Sequence, residues 1–246
     1  MAGIDWFCTF QNVALGLLAG DNPHLDIGYF NPTWAIFPLL PFALLGDSGY
    51  YLFALCGALI FGIVAYKFGA SHFGMLLVLL SPFALTSLAM GNVESLALLG
   101  LLMPAPMAIV MLAIKPQLTI CVILFLLIRE ARKGKRKLLI ALAPVVVLSI
   151  ITIALYGFYP LRWIQYSGWV PVNASVFPWG LPLGVMLFWQ SVRANNLLCA
   201  LAASPFFFPA VTPAVYVVEM IALSSGSIPL LISNVSLWGL FLTKPT

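Results

Sequence analysis

Long apolar runs broken by short polar clusters make up most of this chain. Residues 50–68, 72–90, 138–159 and 177–191 are almost wholly apolar, and a further run precedes the basic cluster at 129–137. Runs near 20 residues read as helices able to cross about 30 Å of hydrocarbon, because barrel strands would alternate polar with apolar positions. Residues 93–103 and 106–114 are each too short to cross at 1.5 Å per residue, so they are read as a helical pair split at Pro104–Pro106. Near the start, Trp6, Phe7, Phe10, Val13, Ala14, Leu17 and Leu18 recur at helical spacing, which predicts an amphipathic helix over 6–19 lying in a membrane interface. Gly, Asn and Pro punctuate 20–34 as a loop. Pro38 and Pro41 break 34–46 into re-entrant or interfacial pieces, and prolines and serines likewise interrupt the segments after Arg193. The expected fold is all-α: a polytopic helical membrane protein of about eight hydrophobic elements. It forms a single integral membrane domain over 1–246, with an outer helix and loop at 1–48 and a spanning bundle at 49–246.

Composition makes the membrane reading firmer. Only 7% of residues are charged and 63% are hydrophobic, against about a quarter charged in soluble domains. The four cysteines, Cys8, Cys56, Cys121 and Cys199, lie far apart and read as small buried hydrophobes rather than a metal or redox set. Asn173-Ala-Ser175 and Asn234-Val-Ser236 fit the glycosylation sequon, too short a pattern to carry weight.

Charge then supplies a direction. Residues 129–137 (R-E-A-R-K-G-K-R-K) hold six of the eleven Lys and Arg, so the net charge of +4 reports topology and anionic lipid headgroups rather than nucleic acid. Short loops rich in Lys and Arg stay cytoplasmic. Counting crossings from this segment puts Lys67 and Arg193 on the same side as it. Asp5, Asp21, Asp26, Asp47, Glu94, Lys115 and Arg162 fall on the outer side, with Trp6, Trp34, Trp163, Trp169 and Trp179 as an outer aromatic belt. The expected location is a cell membrane, of the bacterial inner-membrane kind, crossed several times, with 129–137 cytoplasmic.

The outward-facing polar residues are the candidate chemistry, and each has a structural alternative. Asp5 is either a helix N-cap or a carboxylate able to deprotonate a hydroxyl. Asp21, Asn22, His24, Asp26 and Asn31 are turn formers that could also bind a substrate. Asn92 and Glu94 begin a helix, as a cap and a first-turn acid, or line the same site. Lys115, before Pro116 at the first position of a helix, either closes the preceding helix or forms an anion site with Gln117 and Arg162. Glu219 inside an apolar run is a functional candidate by its cost alone.

Several of these strings together resemble family 87 of the GT-C superfamily, the polyprenyl-phosphate-mannose-dependent mannosyltransferases. They are D-W at 5–6, A-L-G-L-L-A-G-D-N-P-H at 14–24 and F-N-P-T-W-A-I-F-P-L-L-P-F-A-L-L at 30–45. Further on come S-P-F-A-L-T-S-L-A-M-G-N-V-E at 81–94, A-I-K-P-Q-L at 113–118, P-L-R-W at 160–163 and A-S-P-F-F-F-P at 203–209. The resemblance implies a membrane enzyme that moves a sugar, mannose in the family, from a polyprenyl-phosphate donor to an acceptor on the non-cytoplasmic face. It implies Asp5 as the base and Lys115 and Gln117, with Arg162, near the donor phosphate; neither metal nor other cofactor is expected. Members of the family usually carry a span before the D-W segment and are longer. The alternative expectation is therefore a catalytically inactive GT-C-like subunit, with membrane-protein partners besides the surrounding lipid. A transporter, the third reading, would need polar groups along a midplane path, where only Glu219 stands.

Overall fold

In the computed structural model, residues 2–26, 28–158 and 173–243 are described, and among them every regular element is helical. The first helix, α1 (Trp6–Ala19), opens with a π-helical turn over Trp6–Phe10 and stops at Gly20, whose φ of 91° is left-handed. Short turns make up α2 (Thr33–Ala43), because Pro38 and Pro41 withhold backbone donors. Next come α3 (Asp47–Lys67), α4 (His72–Leu79) and α5 (Pro82–Met90). The short pair read from the sequence is present as α6 (Glu94–Leu99), extended by a 3-10 turn over Gly100–Leu102, and α7 (Ala105–Leu112). They are followed by α8 (Pro116–Arg132) and α9 (Lys135–Tyr156), then α10 (Leu181–Ala194), α11 (Leu197–Ala203), α12 (Val217–Leu223) and α13 (Ser227–Thr243).

Two of these, α3 and α9, are long and apolar enough to cross a membrane. The α4–α5 pair makes a third if taken as one span bent by 57°. The straight return expected over 72–90 is therefore corrected to a broken one. Ser81 sits at the break: its hydroxyl accepts from the Ala84 N–H at 3.2 Å, and Pro82 takes the first helical position. The carbonyls left over there are met by α13, where Asn234 Nδ2 donates to Leu77 O at 3.1 Å and Trp238 Nε1 to Leu80 O at 3.0 Å. Only 11% of the central stretch of α9 is buried, against 39% for α3, so α9 presents Leu139, Val147, Ile150 and Leu155 outward.

Two expectations change. The segment at 129–137 is not an open loop: α8 runs to Arg132 and α9 starts at Lys135, leaving a tight turn at Gly134 (φ 118°). Trp6 and Trp34 are not lipid-facing belt residues. Trp6 is fully buried and stacks on Phe53 at 5.1 Å, and Trp34 is buried with its Nε1 donating to Val110 O at 3.1 Å. Trp6, Phe10, Val13 and Ala14 of the α1 apolar face thus pack on protein, while Leu18 stays exposed. Trp163, Trp169 and Arg162 lie outside the described residues.

The ends of the bundle differ in charge. From the basic turn, α8 leads back about 25 Å to Lys115, at 1.5 Å per residue over its 17 residues. By the same rise α9 runs about 33 Å over 22 residues to Tyr156, whose ring lies 6.3 Å from that of His24. The Lys115 neighbourhood and the 20–34 loop therefore share the end remote from the basic turn.

Candidate functional site

A backbone clamp brings the start of the chain onto the α5–α6 turn. Gly3 N–H donates to Ala89 O at 2.6 Å, and Tyr50 on α3 donates its hydroxyl to the same carbonyl at 2.8 Å. Gly91 closes α5 in the left-handed region (φ 70°); a Cβ there would stand 2.7 Å from Trp6 Cβ and 3.2 Å from the Tyr50 ring. Only glycine allows both the turn and the approach. The result sets Asn92 against Asp5.

From there a continuous polar chain runs inward. Asn92 Nδ2 donates to Asp5 Oδ2 at 2.7 Å. Asn92 Oδ1 accepts from Val93 N–H at 2.8 Å and from Lys115 Nζ at 3.0 Å. Lys115 also forms an ion pair with Glu94 Oε1, while Ser87 Oγ donates to Glu94 Oε2 at 2.8 Å. Glu94 has no exposed surface and Lys115 is 9% exposed, whereas Asp5 and Asn92 are only partly buried. The chain thus begins at a carboxylate that solvent can reach and ends in the core. Thr119 Oγ1 lies 2.6 Å from Leu112 O and 3.0 Å from Lys115 O, tying the residue before α8 to the helices on either side.

This arrangement decides between several alternatives left open by the sequence. Asp5 occupies the N-cap position of α1 but makes no capping hydrogen bond; its carboxylate goes to Asn92 instead. The helix expected to begin at Asn92 has Val93 at its cap and Glu94 in its first turn. Lys115 does not close the preceding helix with its ammonium, and among the described residues its ion-pair partner is Glu94 rather than Asp5. Burial raises the Asp5 carboxyl above its ordinary value of 3.8; nearby Lys115 opposes that, Glu94 reinforces it, and the Asn92 amide opposes it.

The outer-loop candidates form a second feature. Asp21, Asn22 and Asp26 join Asn12, Val13 and Gly16 of α1 around an open groove of ≈ 320 Å³. Asn22 Oδ1 accepts from His24 N–H at 3.0 Å and Asp26 Oδ1 from Gly28 N–H at 2.8 Å, so both amide and carboxylate also shape the loop. His24 is buried, with Nε2 2.9 Å from Thr33 Oγ1, and so holds the loop to α2 rather than facing the groove. Asn31 and Gln117 are partly exposed, and neither joins the Asp5–Glu94 chain. Ser87, Thr119 and Gly91 complete the site without having been singled out. Ser87 carries no sequence signal, but a glycine between Met90 and Asn92, closing an apolar helix, marks a left-handed stop. Glu219 stands apart, its buried Oε1 without a hydrogen-bond partner among the described residues. Of the two sequons, Asn234 is buried, whereas Asn173 is exposed, donating to Pro209 O at 2.9 Å and accepting from Val211 N–H at 3.1 Å. No family model, no curated protein and no solved structure matches the chain.

Proposed function

We propose that this chain is a multi-pass membrane glycosyltransferase. It transfers a sugar, mannose by resemblance, from a polyprenyl-phosphate donor to a hydroxyl acceptor on the non-cytoplasmic face. In this reading the basic turn is cytoplasmic, the outward apolar surface of α9 meets lipid, and Asp5 stands at the outer surface. The observation that carries the reading is the Asp5–Asn92–Lys115–Glu94 chain, which assembles residues distant in sequence around one reachable carboxylate.

Its chemistry follows from what each group can do. Asp5, held by Asn92, takes the proton from the acceptor hydroxyl as that oxygen attacks the anomeric carbon. The carbon–oxygen bond to the lipid phosphate breaks, and the phosphate leaves with its electron pair. Because Lys115 is committed to Glu94, it acts on the departing anion through its field rather than by direct contact. Direct contact falls to Gln117 at the start of α8 and, as the resemblance implies, to Arg162, and the groove beside α1 receives the acceptor.

The test is transfer of radiolabelled mannose from polyprenyl-phosphate-mannose by purified protein. Transfer by wild type should fall by about 10²- to 10⁴-fold in Asp5→Asn, the range general base catalysis supplies. A second reading, a non-catalytic subunit of a membrane assembly, is favoured by the full burial of Glu94 under Lys115, which is how a structural ion pair would look. It wins if wild type leaves the label untouched and the protein co-purifies stoichiometrically with membrane partners.

A further inference from the structure

Lys115 is close enough to influence two carboxylates but contacts only one of them. Its ammonium bonds Glu94 and the Asn92 carbonyl oxygen, while among the described residues Asp5 receives only the Asn92 amide nitrogen. The orientation of that amide is dictated: two donors, Val93 N–H and Lys115 Nζ, converge on its oxygen, so the NH2 must face Asp5. Ser87 occupies the other oxygen of Glu94, which leaves Glu94 held on both sides with no exposed surface.

We propose that Glu94 is a positioning residue for Asp5: by drawing Lys115 into a buried ion pair it keeps the ammonium off the Asp5 carboxylate and locks the Asn92 amide toward it. Without Glu94, Lys115, the cation acting on Asp5 among the described residues, forms the direct ion pair itself. A carboxylate in such a pair is a poor proton acceptor, because the cation stabilises its charged form. Glu94 therefore keeps Asp5 basic, by acting on the cation between them. The charged and titratable groups around Asp5 are Lys115 and Glu94, with the Asn92 amide bonded to it and the Tyr50 hydroxyl on α3 directed at Ala89 O. The inference rests on the proposed function only for the use made of Asp5; the charge arrangement stands without it.

The readout is therefore chemical rather than catalytic. A hydrophobic carbodiimide adds to a protonated carboxyl group. The acid's proton goes to one carbodiimide nitrogen and its oxygen to the central carbon, and rearrangement to the N-acylurea leaves the whole reagent on the side chain. Mass spectrometry of the Asp5 peptide across a pH series gives the midpoint for loss of labelling. In Glu94→Gln that midpoint moves to lower pH. At a pH above both midpoints labelling falls about tenfold, the change a one-unit displacement produces. In Lys115→Met the midpoint moves up instead. In the Glu94→Gln/Lys115→Met double variant it stays close to where Lys115→Met put it, because the ammonium through which Glu94 chiefly acts on Asp5 is gone. Should Glu94→Gln prove unfoldable, equality of the last two decides the matter. An unmoved midpoint in folded Glu94→Gln, or a double variant differing from Lys115→Met, overturns the proposal. Absence of sugar transfer would remove the enzymatic reading and leave these midpoints interpretable.

Discussion

Gly91 is the residue on which the site's assembly turns. Its φ of 70° and the 2.7 Å a Cβ would leave to Trp6 Cβ act together, so Gly91→Ala meets backbone strain and a clash with the fully buried Trp6 side chain. The expected cost is about 1–3 kcal/mol for the backbone alone, measurable as a lower apparent melting temperature in detergent. Gln117→Ala on the same protein should leave it unchanged. Asp5 yields a pH prediction. Burial raises its carboxyl above 3.8, and a base works only when deprotonated, so transfer should climb with pH through a midpoint above the ordinary carboxylate value. A rate independent of pH across that range would show that Asp5 is not the base. At this scale the sequence was only partly legible. The acids, amide and cation of the site stand out because so few polar residues occur in so apolar a chain. That Glu94 takes Lys115 depends on where α6 and α8 meet, a long-range packing fact that residue type and local spacing do not encode.

Among the elements, the broken α4–α5 pair shows how backbone groups freed by a break are met from a neighbouring helix. Breaking a helix frees carbonyls that hydrocarbon cannot satisfy, and donors from neighbouring helices must do so. Asn234 on α13 does this for Leu77 while bonding its own helix at Leu230 O, 3.1 Å away. Asn234→Leu should therefore cost about 1–3 kcal/mol by leaving the Leu77 carbonyl unpaired, read as reduced thermal stability in detergent. An unchanged melting temperature would mean the break needs no support from α13. The basic turn is the counterpart. Lys135, Arg136 and Lys137 occupy the first turn of α9, where cations oppose the helix dipole, so they do not serve the helix itself. Helix positions were largely readable from apolar runs, including the short 93–103 and 106–114 pair. The burial of Trp6 and Trp34 was not. An aromatic on an amphipathic face packs equally well on lipid or on protein, and only the approach of α3 to Trp6 and of α7 to Trp34 decides it.

For the whole molecule, two geometric facts set the ends that the charge reading assigns to opposite sides. Following α8 and α9 away from the basic turn leads to Lys115 and to the His24 loop, so the basic turn lies at one end and the Asp5 chain at the other. The proposed catalytic face requires that these ends lie on opposite sides of a membrane. The direct measurement is labelling of single cysteines by a membrane-impermeant maleimide, in protein whose Cys8, Cys56, Cys121 and Cys199 have been replaced. Leu25→Cys, at a position 66% exposed in the outer loop, should react in intact cells stripped of any outer envelope. Lys135→Cys, exposed at the basic turn, should react only after the membrane is opened. Reaction of both from the same side would contradict the account.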